Sequence, residues 1–176
     1  MESNQQNLDT SKYLFFYGHR VTKKITKNCF SNFYPAEFTD GNGVKYYNSE
    51  QYLMYKKAKL FNDIETANKI LSTKNPFEIK EHGRGVKNFD NTIWDEYKLE
   101  IMTEGLILKF KQNPELLEFL LNTGDLILVE ASSTDKIWGI GLSENKAMIT
   151  PEEKWKGQNL LGKALMAARS MIVSLK

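Results

Sequence analysis

The sequence predicts one mostly helical domain carrying a small β-sheet, and three observations support that prediction. Its 176 residues are the size of one ordinary domain, able to bury most of its apolar surface without staples. Helix-start signals, a capping Asn or Asp followed by proline or a carboxylate or amide side chain, recur between residues 48 and 115. Strand-like runs are few and short by contrast: Tyr13–Tyr17, a hairpin around Gly41–Gly43, and Asp125–Glu130.

Composition narrows the class further. A hydrophobic fraction of 41% and a charged fraction of 26% exclude a disordered or membrane-resident chain. No apolar run is long enough to span a bilayer and the first residues are polar, so a cytoplasmic protein is expected. A single cysteine, Cys29, excludes an internal disulfide and a cysteine-based zinc site, and the two histidines, His19 and His82, leave little for another. Neither metal nor cofactor is expected. With 24 basic and 22 acidic residues the net charge of +2 is too small to predict nucleic-acid binding, so an anionic ligand must be held locally.

In chain order, residues 1–11 have no hydrophobic period and read as a flexible tail, with the domain over 12–176. Tyr13–Tyr17, ended by Gly18, reads as a buried strand. Val21–Cys29 is basic and carries no clear signal, and Ser31–Pro35 reads as a loop with two aromatic side chains. Ala36–Asp40 and Val44–Tyr47 around a Gly-containing turn make a hairpin. A helix then starts at Asn48, where Asn48 and Gln51 have the form of a capping box and Tyr47 and Tyr52 stand as a hydrophobic staple. Helices follow from Asn62 or Asp63 to about Leu71, from Asn75-Pro76 to Gly83, over Thr92–Gln112 and over Asn113–Leu121. The stripe Trp94, Tyr97, Ile101 and Leu108 on the long helix reads as core. Gly83-Arg84-Gly85 reads as a flexible segment offering one guanidinium to a phosphate or carboxylate, or as a plain surface turn. Asp125–Glu130 is a near-continuous apolar run, expected as a central strand. A closing helix to about Ser174 has Leu161, Leu165 and Ala168 on its core face and Gly162 where another element can approach.

Two carboxylates stand apart from the surface majority. Glu50, Leu53, Met54, Lys57 and Phe61 share one helix face, so Glu50 points into a core or cleft. A buried Glu–Lys pair or a first-turn Glu suited to the helix dipole explains that placement, and so does a functional carboxylate. Asp135 lies in the polar loop after the apolar strand, beside Trp138. Two carboxylates in unlike environments suit cleavage of a glycosidic bond, because one stays ionised while the other donates a proton. Trp94, Trp138, Phe33 and Tyr34 are candidates to stack on a planar base. No P-loop, dinucleotide fingerprint, zincin motif or nucleophile elbow competes with this reading.

Ser31-Asn32-Phe33, Ser49-Glu50-Gln51-Tyr52 with Lys57, Gly83-Arg84, Trp94, Asp135-Lys136-Ile137-Trp138-Gly139 and Gly157–Met166, in that order, resemble the NADAR family, also called YbiA-like proteins. The resemblance runs from Tyr13 to Ile172 and implies an α+β single domain with metal-independent N-glycosidase activity. Known members hydrolyse the C–N bond of early riboflavin intermediates, releasing a ribose 5-phosphate and a pyrimidine. Others are implicated in NAD and ADP-ribose metabolism, including removal of ADP-ribose from guanine. The resemblance implies Glu50, Trp94 and Asp135 as catalytic residues, and Asn32, Phe33, Lys57, Arg84, Trp138 and Asn159 are expected as substrate contacts. It implies as partners a small ribosylated base or ADP-ribosyl compound, or an ADP-ribosylated nucleic acid, and a non-catalytic ADP-ribose or nucleotide-binding module is the alternative. Gln51 stands where many members have His; glutamine does not titrate near neutral pH, which points to a different subgroup and substrate.

Overall fold

The computed structural model describes residues 8–175. Positions 1–7 of the expected tail lie outside the described residues. The rest of that stretch is structured: Asp9 accepts from Ser11 N and caps a 3-10 turn at Thr10–Lys12, and Leu8 packs against a small apolar cluster.

Strand β1 (Tyr13–Phe16) runs parallel to β4 (Ile127–Glu130), with Tyr13 opposite Ile127 and Phe16 opposite Glu130. The crossover between them holds a short antiparallel hairpin, β2 (Phe38–Thr39) and β3 (Lys45–Tyr46), and five helices. These are α1 (Ser49–Leu60), α2 (Ile64–Leu71), α3 (Pro76–Arg84), α4 (Asn91–Lys111) and α5 (Pro114–Asn122). After β4 come the short α6 (Glu144–Met148) and the closing α7 (Leu160–Ser174). Helix α1 packs against α2, α3 and α4, while α7 covers α4 and β4. One face of the parallel pair, through Leu14, Phe16 and Leu128, joins the helical core of Leu53, Met102, Leu106, Phe110 and Leu165. The other face, through Phe15 and Val129, packs on Ile140 and Leu142.

The expected central strand is central in burial but not in pairing. Among the described residues β4 has β1 on one side only, and its other edge is closed by a side chain. Asn159 accepts from Glu130 N at 3.0 Å and donates to Leu128 O at 2.9 Å, so one amide does the work of a neighbouring strand. Asn159 reaches that position from the left-handed region, at φ +54°, a conformation Asn tolerates better than most residues. Gly162 is the close approach anticipated from sequence, because a Cβ there would collide with Leu128 O.

Helix α1 begins where its cap residues require, with a different partner for the glutamine. Asn48 accepts from Gln51 N at 2.8 Å, and Gln51 Oε1 accepts from Tyr47 N, one residue before the cap. Gln51 Nε2 donates to Ile70 O and Thr73 O, tying the start of α1 to the end of α2. Tyr52 packs edge to face on Tyr46, while Tyr47 lies under the Lys74 ammonium, so the expected Tyr47–Tyr52 staple is replaced by Tyr46. The core stripe of α4 is also shifted. Trp94, Lys98, Met102, Leu106 and Lys109 are buried, whereas Tyr97 is 44% exposed. Two lysines on the buried face hid the true period from an apolar count.

Candidate active site

A cleft of about 960 Å³ opens between the C-terminal end of β4, the first turn of α1, helix α3 and the start of α4. Each wall follows from local chemistry. The cap on Asn48 starts α1 so that Glu50 falls in its first turn, and Glu50 N donates to Asn32 O at 3.0 Å. Asn32 is itself held, its Oδ1 accepting from Ser49 Oγ at 2.8 Å and its amide nitrogen lying 3.3 Å from Met102 Sδ. Asp90 caps α4 through Thr92 N and Ile93 N, which sets Trp94 in the first turn facing the cleft. After β4 the chain turns so that Asp135 Oδ1 accepts from Ile137 N at 2.9 Å and Trp138 N at 2.8 Å. The carbonyls of Ile137 and Trp138 then accept from Leu160 N and Leu161 N, fastening this loop to the start of α7.

Glu50, Trp94 and Asp135, far apart in sequence, therefore line one cleft. Glu50 is only 7% exposed, and among the described residues nothing hydrogen-bonds to its carboxylate. Burial is the main influence on it; Lys80, Lys57 and Arg84 favour the charged form, Asp135 opposes it, and the carboxyl is pushed up to about 7. The helix dipole does not keep it low. Nor does Glu50 pair with Lys57, whose ammonium donates to Gly83 O at 2.8 Å and lies 4.5 Å from the Phe89 ring centroid and 5.9 Å from that of Trp94. Burial pulls Lys57 down, and Glu50 partly offsets the pull.

Of the other expected contacts, Asn32, Phe33, Arg84 and Trp138 line the cleft. Phe33 forms an aromatic corner with His19 and Phe77, at centroid distances of 5.4 and 5.1 Å. A second hollow of about 800 Å³ lies beyond this corner and contains none of the three expected catalytic residues. Gly83 and Arg84 are the last residues of α3 rather than a flexible segment. Gly83 is required because a Cβ would collide with Met54 Sδ of α1, and Arg84 lies exposed at the rim, 3.3 Å from Glu81. Two expected residues are not brought to the cleft. Asn159 spends its amide on β4, and Tyr34 turns into the core. Gln51 is likewise turned away toward α2, fully buried.

Arg20, Lys80, Lys98 and Glu130 are charged cleft residues that escaped the sequence reading. Lys80 stands on α3, and Lys98 is buried one turn beyond Trp94, 2.6 Å from Asp95. Glu130 ends β4, on the strand face shared by Leu126 and Leu128. Its signal was a carboxylate closing a buried apolar run, in register with two core leucines. Burial, with Asp135 and Glu50 adding to it and Lys80 opposing, pushes the Glu130 carboxyl up to about 8. Among the described residues no group of three or more His, Cys, Asp or Glu is arranged to hold a metal ion, and no helix is long and apolar enough to cross a membrane. The cleft offers carboxyls of unlike character, aromatic faces for a planar base, and Arg20, Lys57, Lys80, Arg84 and Lys98 for an anionic group.

The NADAR domain family model matches residues 15–173. Over 166 residues the chain is 46% identical to N-glycosidase R617 of Acanthamoeba polyphaga mimivirus, covering 92% of this chain and 97% of that protein. It is 31% identical over 156 residues to riboflavin biosynthesis protein PYRR, chloroplastic, of Zea mays, covering 82% of this chain and 23% of that longer protein. The NMR structure of the E. coli protein YbiA matches with a TM-score of 0.73 at 26% identity, covering 98% of this chain and 91% of that one. The helical fold with small sheets is shared with it.

Proposed function

This chain belongs to the NADAR domain family and is an N-glycoside hydrolase, and from that premise we propose that it cleaves, without a metal ion, the C–N bond between a phosphorylated ribose and a base. The favoured substrate is an early riboflavin-biosynthesis intermediate, a ribosylaminopyrimidine phosphate, in keeping with the name of the maize relative. ADP-ribosylated guanine, free or in nucleic acid, is the second candidate, because five basic side chains suit a diphosphate as well as a monophosphate.

The observation that carries the proposal is the convergence of Glu50, Asp135 and Trp94 on one cleft bordered by cations. Breaking the anomeric bond develops positive charge on the ribose and negative charge on the departing nitrogen. Glu50, poised near neutrality by burial, takes a proton from the attacking water, and its carboxylate stabilises the oxocarbenium-like ribose. Asp135 has Oδ1 committed to backbone donors and uses Oδ2 as an acceptor for a ribose hydroxyl. Trp94 and Trp138 flank the base and exclude water, while Lys57, Lys80, Arg84 and Lys98 hold the phosphate.

A chromatographic time course of chelator-treated protein tests this, with Glu50→Gln as the blank, against the ribosylaminopyrimidine phosphate, ADP-ribosylated guanine and NAD. Release of one base by wild type alone is expected and selects the substrate. Equal release by Glu50→Gln overturns the role given to that carboxyl, and no release from any of the three overturns the substrate proposal.

A further inference from the structure

Two cleft carboxyls are left unused by the roles above: Glu81, exposed at the rim beside Arg84, and Glu130, which lies deeper. Its place at the end of β4 is fixed on both sides, by pairing with Phe16 of β1 and by Asn159, which accepts from its backbone N–H. Strand alternation turns its side chain to the face of Leu126 and Leu128, toward the helices. There Oε2 is buried and has no hydrogen-bond partner among the described residues. Buried polar atoms are nearly always satisfied, so an orphan oxygen on a cleft wall marks a place where the ligand supplies the partner.

We infer that Glu130 is a catalytic residue, the general acid that protonates the departing nitrogen. The inference rests on the N-glycosidase reading above. Besides the exposed Glu81 at the rim, three carboxyls line this cleft, Glu50 from α1, Asp135 from the loop after β4 and Glu130 itself, with Lys80 of α3 acting on both Glu50 and Glu130. Like charges so gathered do not all ionise together. Asp135 is engaged as an acceptor; Lys80, Lys57 and Arg84 all favour the charged form of Glu50, whereas Lys80 alone favours that of Glu130, whose Oε2 is also without a donor among the described residues, so Glu130 is the carboxyl placed to keep its proton. Such a separation divides acid from base within one site.

The step balances with these groups alone. Water oxygen bonds to the anomeric carbon as the C–N bond breaks, and its electron pair stays on nitrogen. Glu130 gives its proton to that nitrogen and becomes a carboxylate, while Glu50 takes a proton from the water and becomes a carboxylic acid. Water entering the emptied cleft carries the proton from Glu50 back to Glu130.

The test compares wild type with Glu130→Gln on two substrates that differ only in the basicity of the leaving nitrogen, with folding followed by Tm at pH 8. General-acid loss is expected to lower kcat by about 10²–10⁴-fold for the more basic leaving group, with a smaller loss for the one that departs easily, KM nearly unchanged and Tm not lowered. Equal losses on both substrates, or a kcat close to that of wild type, overturn the assignment. If the Gln variant does not fold, Glu130→Asp, which keeps the acid but shortens its reach, is read for the same difference between leaving groups. Failure of wild type to release either base overturns the N-glycosidase reading instead, and the wild-type assay by itself tells the two failures apart.

Discussion

Lys109 and Glu130 both carry an ionisable group with a polar atom placed out of water, and they are treated in opposite ways. Lys109, near the C-terminal end of α4, is fully buried and donates to Cys29 O at 2.7 Å and Ser31 O at 3.3 Å. Its ammonium pins the segment that leads into Asn32 and Phe33. Glu130, at the end of β4, has a buried oxygen with no partner among the described residues and faces the cleft. A buried charge whose hydrogen bonds are supplied from within holds structure together, whereas one left incomplete beside a cavity is available to a ligand. Helix α4 shows the same division along its length, with Trp94 and Lys98 facing the cleft and Lys109 and Phe110 closing the core.

The largest expected effect is on the cleft side. Glu50→Gln should lower kcat by about 10²–10⁴-fold while leaving Tm at pH 8 no lower, measured by base release and thermal unfolding. On the core side, Lys109→Met should cost about 2–3 kcal/mol of stability by stranding the carbonyls of Cys29 and Ser31. Denaturant unfolding checks this, and a variant as stable as wild type would mean that the ammonium is not what holds that loop.

The pH dependence of stability separates the two regions by sign. Glu50 and Glu130 are raised from 4.5 to about 7 and about 8, so the folded state binds more protons than the unfolded chain between those values. Their effect is to lower stability as pH rises from 4.5 to about 8. The groups that act on this pair are Asp135, which raises both, and Lys80, which lowers both, with Lys57 and Arg84 lowering Glu50. Lys109 is lowered from 10.5 to about 8, so its own contribution to stability rises with pH between 8 and 10.5, against the opposite contribution of the Cys29 thiol, which burial pushes from 9 up to about 11. Tm measured across pH should show the decline shrink in Glu130→Gln and the alkaline contribution of Lys109 vanish in Lys109→Met. The smallest effect expected is for Asn159→Ala, which exposes no cleft surface but unpairs Leu128 O and Glu130 N. It should cost ~1–2 kcal/mol with KM for the cleaved substrate unchanged, and a large KM effect would return Asn159 to the list of ligand contacts.

Much of the fold was legible because it is written in local signals. The caps Asn48, Asp63 and Asn75, the prolines at the start of α3 and α5, and the close approach at Gly162 all stand where the sequence placed them. The misreadings arose where a residue's partner is remote. Gly83 read as part of a flexible segment or a surface turn because Met54, the neighbour that demands it, lies on another helix. Tyr97 took a core position on paper that Lys98 and Lys109 occupy in fact, since an apolar count does not register a lysine whose ammonium is satisfied by backbone carbonyls or an acid. Asn159 sat in a matching motif and was expected at the ligand, but its amide completes the edge of β4.

The sequence by itself determined the helical character and the family and supplied the carboxyls and tryptophans proposed for the chemistry, because caps, periodicity and motif order are properties of neighbouring positions. Only the tertiary structure decided which charges meet and which are left without partners. Glu50, Glu130 and Asp135 acquire their unlike environments from burial and from one another across three separate elements, and such long-range electrostatics has no counterpart in any short stretch of chain.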